Sequence, residues 1–182
     1  MIIDCHGHYT TAPKALDDYR SRQTAKLLEP AAPPLAPDFH ISDDDIRDSL
    51  ERNQLRLQRE RGVDMTILSP KASAMAHHVG NPTTSLHWSQ ACNDLIHRVT
   101  TLYPAQFTAV CQLPQSPGHG LDSCIAELDR CVNTLGFIGC NLNPDPSDGH
   151  WNGPPLGVSL ISLHFTGVAA PSIHAGFRAA LA

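Results

Sequence analysis

Two histidines near the amino terminus have the spacing of a metal-binding pair. His6 and His8 follow the short apolar start Met1-Ile2-Ile3 in the run Asp4-Cys5-His6-Gly7-His8. Alternate side chains of a β-strand share one face, so both imidazoles would project to the same side, about 6 to 7 Å apart along the backbone. Two such imidazoles can bind one metal ion, although the site needs at least one further protein ligand. The spacing also fits two unrelated histidines of a surface or a core.

The composition is that of one globular domain. The 182 residues are 41% hydrophobic and 17% charged, with a net charge of −5. No cluster of Lys and Arg interleaved with aromatic residues supports a nucleic-acid partner. The amino terminus lacks a basic and apolar leader, and no apolar run approaches the length of about 18 residues that spans a membrane. Six cysteines without a C-x-x-C pair indicate reduced thiols, so we expect a cytoplasmic protein.

The elements that would position the histidine pair begin with a strand and a long proline-rich segment. Residues 9–41 predict a helical middle at best, and we expect them to form a lid over the end of the first strand. Ser42 is a helix N-cap before three aspartates, and Gly62 is the natural stop of that helix. The pattern therefore predicts one helix between these two residues.

Strands and helices then alternate. Strands are predicted at 63–68, 107–113 and 137–142, with helices at 84–102 and 121–135 between them. This alternation predicts an α/β fold with a parallel sheet, as either a doubly wound sheet or a (β/α)8 barrel. No G-x-G-x-x-G motif follows any strand, which removes the signature of the nucleotide-binding sheet.

Polar residues follow the carboxyl ends of the predicted strands, where barrel enzymes build their active sites. The count stops at four strands, whereas a complete barrel needs about 250 residues. The sequence thus predicts half a barrel with chemistry at one end. The residues at this end are His6, His8, Ser69, Lys71, Gln112, Asn141 and Asn143.

Three segments in the same order resemble one enzyme family. The segments are residues 2–13 (IIDCHGHYTTAP), residues 61–70 (RGVDMTILSP) with the following 75–78 (MAHH), and residues 139–146 (GCNLNPDP). They are similar to the 4-oxalomesaconate hydratases, in the branch of the amidohydrolase superfamily that also contains aminocarboxymuconate-semialdehyde decarboxylase. The resemblance implies a (β/α)8 TIM barrel that binds a divalent metal of the zinc type, with His6 and His8 as metal ligands.

The resemblance also implies a reaction. It is the addition of water to a carbon–carbon double bond of an unsaturated tricarboxylic acid, in bacterial degradation of aromatic compounds such as protocatechuate or gallate. A metal-dependent decarboxylase or hydrolase of the same superfamily is the alternative within the family. The expected partner is a small anionic polycarboxylate, and a homo-oligomer is left open.

Such a substrate needs cations and polar donors to bind its carboxylates. The position of Lys71 is equally consistent with a solvated loop lysine that binds no substrate. Asn141 and Asn143 are equally consistent with residues that stabilise a turn at Pro144. Adjacent side chains diverge on any regular element, so at most one of His77 and His78 would face the site. The candidates for substrate binding are Ser69, Lys71, His77, His78, Asn141 and Asn143.

The last part of the chain departs from the family. After Asp148 there is no Asp, Glu or Lys, and Arg178 is the one formal charge. We expect a partial amidohydrolase-type barrel at 1–156 and a non-family tail at 157–182, from a truncated and possibly frame-shifted coding sequence. The catalytic residues are then expected in the missing carboxyl-terminal half, and His164 and His174 do not sit in family register to replace them. A catalytically dead fragment is the third alternative.

Overall fold

Four parallel strands form one sheet in the order in which they occur in the chain. The structure is a computed structural model, and it describes residues 1–29, 33–71 and 76–143. The strands are β1 (Ile3–His8), β2 (Met65–Ser69), β3 (Phe107–Gln112) and β4 (Gly139–Asn141). The helices are α1 (Lys14–Lys26), α2 (Asp43–Arg52), α3 (Gln54–Arg61), α4 (Pro82–Leu102) and α5 (Asp122–Asp129).

The sheet topology confirms the predicted parallel α/β fold and favours the barrel. Each strand pairs in parallel with the next one, as in Thr66 opposite Phe107 and Cys111 opposite Cys140. A doubly wound sheet reverses its strand order at a switch point, whereas a barrel keeps the chain order throughout. The order β1-β2-β3-β4 contains no reversal among the described strands.

The core lies where α4 packs on β3. Asn81 starts α4, because its side chain accepts a hydrogen bond from the amide of Thr84 at 2.9 Å and Pro82 occupies the first turn. Asn93, fully buried in the middle of α4, donates to the carbonyl of Gln112 and accepts from its amide, both at 2.9 Å. This amide clamp fixes α4 against the carboxyl end of β3.

The helix predicted between Ser42 and Gly62 is two helices. Ser42 and Asp45 form the expected capping box, and Gly62 ends α3 in the left-handed region at φ 66°. Asn53 interrupts the helix with φ −124° and ψ −91°, and its side chain donates to the carbonyl of Ser49 at 2.8 Å. The break rotates the buried face, so that Leu55 is fully buried in α3.

The segment after β1 contains a packed helix, so its predicted helical middle is confirmed, whereas its role as a lid stays a prediction. The 13-residue helix α1 has a fully buried Tyr19, which stacks on Phe39 and donates to the carbonyl of Leu35 at 3.0 Å. Gln23 of α1 donates to the carbonyl of Thr84 at 3.1 Å. Periodicity indicates this helix only weakly, because its apolar positions are sparse and its buried face includes a glutamine.

The remaining elements follow the predicted order. The helix predicted at 121–135 is α5 followed by a π-helical turn at Arg130–Thr134, and Gly136 then adopts φ 74°. Among the described helices, even the longest, α4, lacks the apolar length needed to cross a membrane. The predicted boundary at residue 157, with His164 and His174, lies outside the described residues.

Candidate metal and substrate site

A bulge in β1 sets the direction of the histidine pair. Between Asp4 and Gly7 the register against β2 shifts, so that Gly7 pairs with Leu68 and His8 with Ser69. A Cβ atom at position 7 would overlap the Thr66 side chain, which explains why a glycine is needed there. Because neighbouring residues of a strand face opposite sides, the residues on either side of Gly7 turn away from Thr66.

The two imidazoles lie close together, as the spacing predicts. The ring centroids of His6 and His8 are 5.0 Å apart, with an angle of 81° between the rings. His6 is exposed and His8 is half-buried. The pair therefore lies at the surface of the described part of the chain, where a ligand can reach it.

Hydrogen bonds to β2 orient His8. Its Nδ1 lies 3.1 Å from the carbonyl oxygen of Pro70 and 2.6 Å from Ser69 Oγ, and Ser69 Oγ donates to the carbonyl of Gly7 at 3.1 Å. A carbonyl only accepts, so these contacts favour the tautomer with the proton on Nδ1. Nε2 then carries the free lone pair, as in metal-ligating histidines held by an outer hydrogen bond.

Five of the predicted site residues line one cavity of about 490 Å³ at the carboxyl ends of the strands. Asn143, two residues after the end of β4, is held in place because Gln115 accepts from its amide at 2.8 Å and donates to its carbonyl at 3.1 Å. Gln115 was not among the predicted site residues, although its position between two prolines directly after β3 could have indicated a loop residue near the site. The predicted residues in the cavity wall are His6, His8, Ser69, Asn141 and Asn143.

The structure does not bring the other three candidates into this wall. Lys71 follows the end of β2 and is half-buried, and His78 is exposed. His77 is fully buried, and its Nδ1 lies 2.7 Å from Ser85 Oγ. Burial, with a smaller contribution from the nearby Arg20, lowers the pKa of His77 to about 4. His77 is therefore a neutral side chain of the α1–α4 packing at neutral pH.

The donor set fits a divalent metal in part. Two neighbouring imidazoles, one of them oriented through Nδ1, can fill two positions around the ion. Within residues 1–29, 33–71 and 76–143, no group of three or more His, Cys, Asp or Glu is arranged to hold a metal ion. His6 and His8 thus supply part of a site and need further ligands.

Comparisons with known proteins point to one enzyme family. The amidohydrolase family model matches residues 3–178. The 2-keto-4-carboxy-3-hexenedioate hydratase of Sphingobium sp. is 53% identical over 189 residues, covering 96% of this chain and 55% of that protein. The gamma-resorcylate decarboxylase of Rhizobium radiobacter is 31% identical over 111 residues, covering 60% of this chain.

A solved structure extends the agreement to the fold. The 4-oxalomesaconate hydratase of Rhodopseudomonas palustris superposes with a TM-score of 0.76 at 49% identity, covering 86% of this chain and 45% of that one. This chain therefore spans about half the length of both hydratases. Its four parallel strands correspond to half of the amidohydrolase (β/α)8 barrel. With the family model matching nearly its whole length, the chain belongs to the amidohydrolase family.

Proposed function

We propose that this chain carries part of the active site of a hydratase that adds water to 4-oxalomesaconate or a similar unsaturated tricarboxylic acid. The 53% identity over 96% of the chain to the Sphingobium hydratase carries this proposal. The 49% identity to the Rhodopseudomonas hydratase, which extends over β1–β4, supports it. The setting would be bacterial degradation of aromatic compounds, in the cytoplasm.

The proposal assigns His6 and His8 to a divalent metal. Zinc suits two imidazole ligands, whereas a manganese-bound dihydroxybenzoic acid decarboxylase of Polaromonas shares the fold at 24% identity. When bound, such an ion polarises a substrate oxygen or lowers the pKa of a water molecule. Ser69 supports this role from the protein side, because its hydroxyl and the Pro70 carbonyl hold the His8 ring in one orientation.

The same cavity offers neutral donors to a polycarboxylate. Asn141 and Asn143 can each donate a hydrogen bond to a carboxylate oxygen, and both line the wall with the histidines. Ser69 lies in the same wall, but its one hydroxyl proton is donated to the carbonyl of Gly7, so its role in substrate binding stays a prediction. Lys71, just past the end of β2, is the proposed cation for one of the carboxylates. The role of His77 and His78 in substrate binding stays a prediction. The residue that moves the proton is expected in the half of the relatives that this chain does not span.

A decarboxylase is the second candidate. The gamma-resorcylate decarboxylase match, at 31% identity over 60% of the chain, favours it over other amidohydrolase reactions. It covers less of the chain at lower identity than the hydratase match does. The two reactions are distinguished by substrate, because one needs a non-aromatic acid with a carbon–carbon double bond and the other needs an aromatic acid.

Assays of two proteins test the proposal. The first is the 182-residue chain, and the second is a chimera in which residues 1–156 precede the carboxyl-terminal half of the Sphingobium hydratase. Metal content is measured by mass spectrometry, hydration of 4-oxalomesaconate by loss of its ultraviolet absorbance, and decarboxylation with gamma-resorcylate. We expect hydration by the chimera. A folded, metal-containing chimera that only decarboxylates would contradict the proposal. Hydration by the 182-residue chain alone would exclude the hypothesis that it is a catalytically dead fragment.

A further inference from the structure

The strand that carries the two asparagines of the cavity wall is the shortest of the four described strands. β4 consists of the three residues Gly139–Asn141, which lie opposite Val110 to Gln112 of β3. Asn141 ends this strand, and Asn143 follows two residues later in the wall of the 490 Å³ cavity. Three paired residues supply few hydrogen bonds. The position of Asn143 therefore depends on what holds the chain after β4.

A proline stands where the pairing of β3 with β4 would continue. Gln112 at the end of β3 lies opposite Asn141 at the end of β4. Two residues further along both chains, the same register would place Pro114 opposite Asn143. Proline has no N–H group, so it cannot donate to a neighbouring strand at this position. Continued strand pairing is thus not available to hold Asn143 through a donor from Pro114.

The side chain of Gln115 supplies the hydrogen bonds that a neighbouring strand would give. Its Oε1 accepts from the amide of Asn143 at 2.8 Å, and its Nε2 donates to the carbonyl of Asn143 at 3.1 Å. A primary amide offers both an acceptor and donors, as a peptide group does. Gln115 is 7% exposed, so water competes little for either bond. Both main-chain groups of Asn143 are thereby fixed by one side chain.

The segment that carries Gln115 is itself attached to the packed interior. Leu113 is fully buried, and the carbonyl of Pro114 accepts a hydrogen bond from Cys124 Sγ of α5 at 3.3 Å. The amides of Gln115 and Ser116 each donate to the carbonyl two residues earlier, at 2.9 Å. Such three-residue turns restrict the backbone on both sides of the glutamine. Gln115 thus links the cavity wall to the side of the fold that is packed against the helices.

We propose that Gln115 is a positioning residue for substrate binding, which holds Asn143, and through the main chain Asn141, in the cavity wall. The inference rests on the proposed function, because that proposal makes these asparagines donors to a polycarboxylate. Gln115 itself lies outside the cavity wall and acts through Asn143. Its loss should therefore weaken the binding of substrate and transition state equally, which raises KM and leaves kcat unchanged.

Amide hydrogen exchange in the 182-residue chain tests the first step, independently of any activity. Gln115→Ala removes the acceptor of the Asn143 amide, so nuclear magnetic resonance should show that this amide exchanges at least about tenfold faster. The amide of Gln112, which donates to Asn93 at 2.9 Å, should exchange at its original rate. An unchanged exchange rate at Asn143 would overturn the inference.

Kinetics and binding in the chimera of residues 1–156 with the carboxyl-terminal half of the Sphingobium hydratase test the second step. The binding probe is propane-1,2,3-tricarboxylate, a saturated tricarboxylic acid that cannot be hydrated. Gln115→Ala should raise the KM for 4-oxalomesaconate and the Kd of the probe at least about tenfold, with kcat within about twofold. Gln115→Glu should raise both values as well, because a carboxylate accepts from the Asn143 amide but cannot donate to its carbonyl.

Gln58→Ala is the matched control, because it separates positioning from a general loss of stability. Gln58 of α3 is 6% exposed and donates to the carbonyl of Gln106 at 3.1 Å, at the opposite end of β3. This substitution should lower stability about as much as Gln115→Ala does, with KM and Kd unchanged. Equal rises in KM and Kd for Gln58→Ala and Gln115→Ala would overturn the inference.

The two measurements distinguish failure of the inference from failure of the proposed function. Hydration with a KM and a probe Kd that do not respond to Gln115→Ala would overturn the inference alone. A chimera that does not hydrate 4-oxalomesaconate, but binds the probe more weakly after Gln115→Ala, would support the inference and contradict the proposed function. A folded chimera that neither hydrates the substrate nor binds the probe would contradict both.

Discussion

The strands β3 and β1 belong to the same sheet but have opposite surroundings. Along β3, Phe107, Ala109 and Cys111 are buried against the helices, and Gln112 is fully buried at its end. Along β1 the side chains from Ile3 to His6 are exposed. The fold is thus consolidated around β3 and α4, whereas the proposed metal ligands lie on a strand that is held mainly by its pairing with β2. Substitutions around β3 and α4 should therefore affect mainly stability, whereas substitutions on β1 should affect mainly function.

The largest loss of stability is expected at the centre of the packed side. Trp88 of α4 is buried, and Tyr19 and Arg20 of α1 lie against its ring. Trp88→Ala should reduce the free energy of unfolding by about 3 to 5 kcal/mol, because it leaves a large cavity between two helices. Urea unfolding followed by circular dichroism measures this change. A loss below about 1 kcal/mol would mean that α1 and α4 do not pack as described.

The second-largest loss of stability is expected in the buried ionic network between α4 and α5. Glu127 has a side chain that is 1% exposed, and it accepts from Arg130 Nη2 and from Asn93, both at 2.7 Å. Burial alone would raise the pKa of Glu127, but these hydrogen bonds outweigh burial and hold the pKa below its usual range. Glu127→Ala should cost about 3 to 4 kcal/mol, since it removes one of the two acceptors of the buried Asn93 amide and leaves Arg130 with only its pair to the exposed Asp94.

The control for Glu127 is the exposed pair of Arg56 and Glu60. These side chains are joined at 2.7 Å, and each exposes about half of its surface. Glu60→Ala should cost less than about 1 kcal/mol in the same unfolding experiment. Equal losses for the two glutamates would contradict the distinction between the packed side and the surface.

The pH dependence of stability should report on the buried His77. Its pKa is about 4 in the folded chain against 6.5 as the ordinary value, so the unfolded chain takes up a proton first as the pH falls. Stability should therefore decrease between pH 6.5 and pH 4, by up to about 3 kcal/mol. His77→Gln should flatten this part of the profile, whereas His78→Gln should change it much less, because the charge of His78 is the smallest of the causes that lower the pKa of His77. An unchanged profile in His77→Gln would contradict the buried placement of His77.

The smallest effects on stability are expected from replacing one cysteine by serine on each of the two strands. Cys111→Ser on β3 places a hydroxyl in a fully buried position and should cost about 1 to 3 kcal/mol. Cys5→Ser on β1 changes an exposed position and should stay within about 0.5 kcal/mol. Thermal unfolding of both variants side by side measures the difference. Equal costs would remove the contrast between β3 and β1.

The features that could be predicted from the sequence depend on neighbouring residues. Ser42 and Gly62 mark helix ends through their own hydrogen bonds and backbone angles, and the His6–His8 spacing follows from the alternation of a strand. The parallel pairing of the strands, though not their order in the sheet, was predicted from the alternation of strands and helices. The signals for the helix ends and for the histidine pair lie within a few residues of the features that they predict.

The features that could not be predicted depend on distant parts of the chain. The break at Asn53 and the burial of Tyr19 are decided by packing against other helices, which no local period reveals. The bulge in β1 depends on the Thr66 side chain, 59 positions after Gly7. The burial of His77, a weaker candidate for substrate binding, and its contact with Ser85 of α4 likewise depend on packing between distant segments.

The role of β1 is tested by His8→Ala in the chimera of residues 1–156 with the carboxyl-terminal half of the Sphingobium hydratase. We expect the unmodified chimera to hydrate 4-oxalomesaconate. His8→Ala should lower kcat at least about a thousandfold, with a lower metal content and an unchanged circular dichroism spectrum. Hydration that is equally fast in the folded His8→Ala chimera would contradict the assignment of β1 as the metal-binding strand.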